Sequence, residues 1–219
     1  MSSFNAYLYA LGVVKQFLPD EYRLENNQLT IPASFILSRM PNGAVLSKFG
    51  EDVWDFSPYL PNCDCKLSFK SWFKNAHEDD FLFCQIRAEM KKIIFALLYI
   101  KTEKSIIKSI EQRHIVLRQF ARLAYKNGCT LQQLFRDVAY MSKVNDAYVG
   151  VSYQTAIHIK AFLSDCFELQ QKYPLLIPAF NEYKPIEYLK KIAAQLRLQS
   201  GKVGAQTKLI PSRLYIALI

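Results

Sequence analysis

The sequence predicts a mainly α-helical protein, in which a helical bundle follows a smaller mixed region. Apolar residues recur at spacings of three and four after residue 79, whereas prolines and glycines interrupt such spacing between residues 19 and 75. Hydrophobic residues make up 51% of the chain and aromatic residues 14%, enough to form a packed core. We therefore predict a mixed region over 1–75, a bundle over 79–200 and a linker over 201–219.

The mixed region is predicted to begin with one amphipathic helix, which Ser3 caps and Pro19 ends. After that helix, β-prone stretches at residues 29–31, 45–49 and 66–72 alternate with prolines and glycines. This pattern favours loops and allows a short β-hairpin.

The bundle is predicted to contain a series of helices joined by short turns. Residues 81–99 are apolar enough for a central helix, and a second helix over 104–126 ends at Gly128, which can adopt a left-handed conformation. Thr130 and Gln133 have the spacing of a capping box, which predicts a short helix reaching about residue 141. Further helices are predicted over 152–173, before Pro174, and over 185–199.

Positive charge is concentrated in the last part of the chain, which has a net charge of +9. Residues 1–60 carry four Lys/Arg against six Asp/Glu, residues 61–100 carry six against five, and residues 101–219 carry eighteen against eight. Clustered cations raise the local potential and attract phosphates, so the asymmetry predicts double-stranded DNA as the partner. A basic excess that only keeps the protein in solution is the alternative interpretation.

One face of the helix predicted over 104–126 is basic. On a helical wheel, Ile106, Ile110, Leu117, Phe120, Ala121 and Ala124 fall on one side, and five cations gather opposite them with Glu111 interrupting. Such a row suits contacts to successive phosphates, although a solvated face is the alternative. The predicted DNA-binding residues on this face are Lys104, Lys108, Arg118, Arg122 and Lys126. A weaker second set comprises Lys184, Lys190, Lys191, Arg197, Lys202 and Lys208.

Three other polar residues fall on the apolar faces of predicted helices. Arg113 is expected to form a buried ion pair, with Glu89 or Asp137 as candidate partners. His114 and His158 are expected to be packed and hydrogen-bonded rather than catalytic.

The chain has five cysteines, an odd number, and they are scattered along the sequence, which predicts free thiols rather than disulfide bonds. The chain begins without the pattern of a signal peptide, which predicts a cytoplasmic protein. Cys63, Cys65, His77 and Cys84 could supply four zinc ligands, but a single residue between two cysteines is unlike ordinary zinc-site spacing. We therefore predict no metal and no other cofactor.

The sequence shows no motif that would support catalysis by this chain alone. The signatures of nucleotide-binding loops, zinc proteases and serine hydrolases are missing. The most apolar run, residues 93–100, is far shorter than the ~20 residues needed to cross a bilayer. We accordingly predict no catalytic residue, no small-molecule substrate and no membrane partner.

Several short motifs resemble those of one protein family. They are EDVWDFS at 51–57, LSF at 67–69, KKII at 91–94, LRQFA at 117–121, GCTL at 128–131 and IPSRLY at 210–215. Together they resemble the N-terminal half of long tyrosine-type site-specific recombinases, the phage-type integrases of bacterial mobile elements. The resemblance implies a helical core-binding domain that clamps one side of a recombination site during DNA integration or excision, with self-association on the DNA.

The same resemblance implies that strand cleavage belongs to a catalytic domain following this region. That chemistry uses a tyrosine nucleophile with arginines and a His-x-x-Arg motif, because guanidinium groups stabilise charge developing on the phosphate. Here His114 is followed by Arg118 at four positions rather than three, and Tyr215 does not match the nucleophile. Residues 201–219 are therefore predicted to be a linker and the start of that catalytic domain.

Two alternatives belong to other functional classes. One is a helical protein-interaction or regulatory module of a mobile element, whose basic face would bind an acidic protein. The other is a metal-supported enzyme that uses Cys63, Cys65, His77 and Cys84.

Overall fold

The computed structural model describes residues 3–24, 29–60, 64–73, 80–101, 107–136 and 153–174, together with residue 194. Helices contain 57% of the described residues, and two small antiparallel sheets precede the long helices. The protein is thus mainly helical with a mixed N-terminal part, as predicted. Apart from residue 194, the predicted helix over 185–199 and the predicted linker over 201–219 lie outside the described residues.

The N-terminal helix is shorter than predicted. Helix α1 spans Ser3–Ala10, and Gly12 then adopts a left-handed conformation with φ +83° before a 3₁₀ turn at Lys15–Phe17. The prediction of one helix up to Pro19 was wrong, because the apolar spacing continues through residues that are not buried. Leu11 and Val14 are 55% and 57% exposed.

Four short strands form two separate antiparallel pairs. β1 (Ile36–Arg39) pairs with β2 (Val45–Lys48), and β3 (Val53–Asp55) pairs with β4 (Lys66–Ser68). The β-prone stretches at 45–49 and 66–72 therefore contain strands, whereas residues 29–31 lie outside any strand.

The turn between β1 and β2 explains why the first pair forms a hairpin. The Met40 amide donates a 2.8 Å hydrogen bond to the carbonyl oxygen of Ala44, and Gly43 takes a φ of +86° that favours glycine. Asn42 Oδ1 accepts a hydrogen bond from the Ala44 amide at 3.0 Å. A Pro-Asn-Gly turn is a recognisable hairpin signal, and it predicts β1 better than the strand composition does.

The long helices lie close to the predicted positions. Helix α2 spans Phe81–Tyr99, and the Asp80 carboxylate accepts hydrogen bonds from the amides of Leu82 and Phe83 at its N-terminus. Helix α3 spans Ile107–Lys126 and is followed by Gly128 with φ +65°, as predicted.

Two further helices follow α3. Helix α4 spans Leu131–Arg136, and the predicted capping box is confirmed: the Thr130 amide donates to Gln133 Oε1 at 2.9 Å and the Gln133 amide to Thr130 Oγ1 at 3.1 Å. The predicted extension of α4 to residue 141 lies outside the described residues. Helix α5 spans Tyr153–Lys172, in agreement with the prediction over 152–173.

The buried side chains of the mixed part and of the helices form one hydrophobic core. On α2, Phe95 stacks on Tyr99 with ring centroids 4.4 Å apart, and Phe35 packs edge-on against both. Trp72, just after β4, stacks on Phe83 of α2 at 4.5 Å. The domain boundary between residues 75 and 79 remains a prediction, and the stacking of Trp72 on Phe83 crosses it.

None of the described helices is long and apolar enough to span a membrane.

Glu89 of α2 holds the N-terminus of α4. Its carboxylate accepts a 2.8 Å hydrogen bond from the Leu131 amide, and burial raises its pKa against the opposing effect of the backbone donors at Leu131 and Gln132. We expect Glu89→Ala to lower the free energy of unfolding by about 2 kcal/mol, because the amides at the start of α4 lose a charged acceptor. Chemical denaturation would measure this loss. Glu111→Ala on α3 is the control, and equal losses would contradict the role of Glu89.

Candidate nucleic-acid interface

Helix α3 has the buried and exposed faces that the helical wheel predicts. Ile110, Leu117, Phe120, Ala121 and Ala124 are buried. Arg122 and Lys126 are exposed, and Arg118 is half-buried at the edge of the same face. The described part of α3 therefore presents cations opposite its core side.

The exposed face of α3 is not purely polar. Ile115 lies between the positions of the cations on the helical wheel and is 41% exposed. An isolated exposed isoleucine is ordinary on a protein surface, but here an apolar side chain sits inside the predicted basic stripe. The sequence interpretation, which noted only Glu111 as an interruption, overlooked it.

Arg118 and Arg122 are held in place by the chain segment that follows β4. Arg118 donates through Nη2 to the carbonyl oxygen of Ser71 at 2.9 Å, and Arg122 donates through Nε to the carbonyl oxygen of Trp72 at 2.5 Å. Burial, and then the charge of Arg122, lowers the pKa of Arg118. A guanidinium has five N–H donors, so each arginine can bind a carbonyl and still offer donors to a phosphate.

The other predicted DNA-binding residues are described less completely. Lys126 is exposed at the end of α3, whereas Lys108 belongs to the helix but its side chain lies outside the described part. The rest lie outside the described residues: Lys104, Lys184, Lys190, Lys191, Arg197, Lys202 and Lys208. Among the predicted residues whose side chains are described, the structure brings together Arg118, Arg122 and Lys126.

Arg113 forms an ion pair, as predicted, but with a different partner. Its Nε lies 2.6 Å from Asp165 Oδ2 on α5, and Lys101, just after α2, hydrogen-bonds to the other oxygen of the same carboxylate. Glu89, one proposed partner, instead binds the start of α4, and Asp137 lies outside the described residues. The prediction of Glu89 was wrong because sequence spacing does not show which acid another helix brings within reach.

His114 is packed in the core, as expected. It is 3% exposed, its ring meets Phe69 edge-on with centroids 5.1 Å apart, and the backbone of Ser68 hydrogen-bonds to it. Burial and then the charge of Arg118 lower its pKa from 6.5 to about 4. His114 is therefore neutral at physiological pH. Its buried Nε2 has no partner among the described residues.

The second histidine and two of the four candidate zinc ligands lie in the described part of the chain. His158 is half-buried, and its Nε2 lies 3.1 Å from the side-chain Nε2 of Gln154. Cys65 is buried and Cys84 half-buried, while Cys63 and His77 lie outside the described residues. Within the described part, no group of three or more His, Cys, Asp or Glu side chains could hold a metal ion.

The sequence interpretation missed a cluster of charges around Asp52. Lys91 of α2 lies 2.9 Å from one carboxylate oxygen, and Arg87 and Lys70 lie 3.3 and 3.5 Å from the other. Burial opposes the charged form, but the hydrogen bond from Lys91 and the three positive charges lower the pKa of Asp52. These residues are distant in sequence, so only the fold reveals the cluster.

Comparisons with known proteins add no family to these observations. No family model matches the chain, and neither curated proteins nor solved structures give a significant match.

Proposed function

We propose that this protein binds double-stranded DNA through the exposed face of α3. The observation that carries the proposal is the grouping of Arg118, Arg122 and Lys126 on one side of a helix whose opposite side is buried. Phosphate contacts supply most of the sequence-independent affinity for DNA, and they come mainly from lysine and arginine.

The fixed geometry of the two arginines supports this function. Because the carbonyl oxygens of Ser71 and Trp72 hold them, their guanidinium groups lose less conformational entropy when they meet a phosphate. Lys126 extends the same face by one further turn beyond Arg122. Basic residues therefore follow the helix in the way that a DNA backbone requires.

A finer proposal concerns the role of this binding. We propose that the protein is the DNA-binding N-terminal portion of a tyrosine-type recombinase and clamps a recombination site for a catalytic domain. The motifs at 51–57, 117–121 and 128–131 support it. Sequencing the gene downstream of codon 219 tests this role. An encoded arginine, His-x-x-Arg motif and tyrosine nucleophile would support it, and a stop codon at once after residue 219 would contradict it.

The DNA-binding proposal is best tested on lysines, because replacing Arg118 or Arg122 would also remove a hydrogen bond that the fold uses. Lys108→Gln with Lys126→Gln should weaken binding to a duplex by about 10- to 50-fold near 0.1 M salt, as two phosphate contacts are lost. The weakening should be similar for duplexes of unrelated sequence. Fluorescence anisotropy with a labelled duplex would measure it.

The matched control removes the same charge from the mixed region. Lys15 and Lys48 are exposed there, and Lys15→Gln with Lys48→Gln lowers the net charge equally. We expect this control to change affinity by less than about threefold. If both double variants weaken binding to the same extent, general charge attraction rather than the α3 face explains the affinity. If an acidic protein binds to the face while DNA does not, the interaction-module alternative is correct.

A further inference from the structure

A cavity of about 270 Å³ lies between α2 and two segments that flank the first hairpin, Ile31 and Ala33 before β1 and Phe49 and Gly50 after β2. Its lining combines apolar side chains from these flanking segments with cationic side chains from α2. The residues that matter here are Ile31, Phe49, Arg87, Ala88, Lys91 and Lys92. Nothing in the sequence patterns or in the proposed DNA-binding function accounts for this cavity.

The wall opposite α2 is held by backbone hydrogen bonds. The Phe49 amide donates to the carbonyl oxygen of Phe35 at 2.9 Å, and the Gly50 amide donates to that of Ala33 at 2.8 Å. A Cβ atom at Gly50 would lie 3.0 Å from the Ala33 Cβ, so only glycine permits this approach without a shift. These hydrogen bonds therefore fix the segment after β2 against the segment before β1.

Positive charge exceeds negative charge around the cavity. Asp52 is the carboxylate that Arg87, Lys91 and Lys70 share, at distances between 2.9 and 3.5 Å. Lys91 is only 8% exposed and also donates to the carbonyl oxygen of Gly50 at 3.0 Å. A cation as buried as Lys91 is stabilised by anionic partners.

Lys92 adds an exposed cation at the edge of the cavity. The positive charge of Lys92 acts to lower the pKa of Glu89, but the Glu89 carboxylate already accepts a hydrogen bond from the backbone of α4. Arg87 donates to Asp52 through Nη1 and to Cys84 Sγ through Nη2. Further N–H groups of Arg87 remain available, since a guanidinium has five donors.

We propose that this cavity binds a small organic anion. Arg87 and Lys92 would bind its carboxylate or phosphate group, while its apolar part would lie against Ile31, Phe49 and Ala88. The volume equals that of about nine water molecules, which suits one ring bearing one anionic group. Apolar walls with a few convergent charged groups are typical of small-molecule sites. The proposal is independent of DNA binding, because the α3 cations do not line the cavity.

Calorimetric titration of the full chain tests the site with phenyl phosphate and benzoate as anionic probes and benzyl alcohol as the neutral one. We expect one binding site per chain with a Kd of about 1 mM or tighter for at least one anion. Benzyl alcohol should bind at least about tenfold more weakly, because it cannot pair with Arg87 and Lys92. Absence of binding by both anions, or equal binding by benzyl alcohol, would overturn the proposal.

Two variants locate the binding. Lys92→Gln removes the exposed cation and Ala88→Phe fills the cavity from an exposed position on α2, so both should fold normally, as thermal unfolding would confirm. Each should weaken anion binding by about tenfold or more. Lys126→Gln, which removes a cation outside the cavity, should leave it unchanged. Anion binding that survives both Lys92→Gln and Ala88→Phe would show that the anion binds elsewhere.

Cys84 provides an independent readout, because its half-buried thiol lines the cavity. Saturating phenyl phosphate or benzoate should slow its alkylation by iodoacetamide by about fivefold or more, since an occupied cavity blocks the reagent. The peptide containing Cys84 can be quantified by mass spectrometry. An unchanged alkylation rate at saturation would contradict binding at this place.

Discussion

Replacing Asp165 with alanine should lower the free energy of unfolding by about 3 kcal/mol. Asp165 of α5 is the shared partner of Lys101 and Arg113, whose side chains are 12% and 16% exposed. Without the carboxylate, two cations remain in a poorly hydrated position between α2, α3 and α5. Removing one member of such a group costs far more than the intact group contributes. Urea denaturation followed by circular dichroism would measure the loss.

Glu168 provides the matched control for this prediction. It lies on the same helix, 3.9 Å from Lys101, but its side chain is 44% exposed. Glu168→Gln should therefore cost less than about 1 kcal/mol, as expected for a solvated ion pair. If Asp165→Ala costs no more than this control, the three helices are not joined through Asp165.

Acid should destabilise the protein through His114. The folded-state pKa of His114 is lowered from 6.5 to about 4, so the unfolded chain takes up a proton at higher pH than the folded protein does. The stabilisation is complete above pH 6.5 and is lost as the pH falls towards 4. The shift corresponds to a loss of about 3 kcal/mol between these limits.

The His114→Gln variant isolates this effect. Glutamine retains a polar side chain but does not titrate, so its free energy of unfolding should vary less between pH 6.5 and 4. Glu89 contributes with the opposite sign, because its raised pKa favours the folded state at low pH, and it does so equally in both proteins. Denaturation curves at several pH values would compare the two. Parallel pH profiles for wild type and variant would contradict a neutral, buried His114.

The long helices could be predicted because local signals mark both their faces and their ends. α2 begins and ends where the apolar pattern does, and Gly128 and the Thr130–Gln133 capping box follow from residue type and spacing alone. The strands were harder, since β3 and β4 have only three residues each and owe their pairing to the partner strand. α1 was predicted too long because periodicity does not show whether apolar side chains find a core.

For the candidate interface, the sequence predicted which residues share one face of α3 but not which residues they contact. The wheel identified Arg118, Arg122 and Lys126 correctly as neighbours, because their spacing is local. It could not show that the carbonyl oxygens of Ser71 and Trp72 bind the two arginines, nor that Asp165 pairs with Arg113. Those contacts join residues about 50 positions apart, and only tertiary packing brings them together.

The salt dependence of DNA binding by the wild-type chain is the most direct test of the DNA-binding proposal. Three phosphate contacts from Arg118, Arg122 and Lys126, with Lys108 as a fourth that the sequence predicts, would give a plot of log K against log salt concentration with a slope of about −3 to −4. Anisotropy titrations of one duplex between about 50 and 200 mM salt cover the range in which counterion release dominates. We predict that slope. Binding that is undetectable at the lowest salt, or affinity that does not change with salt, would contradict DNA recognition through the α3 face.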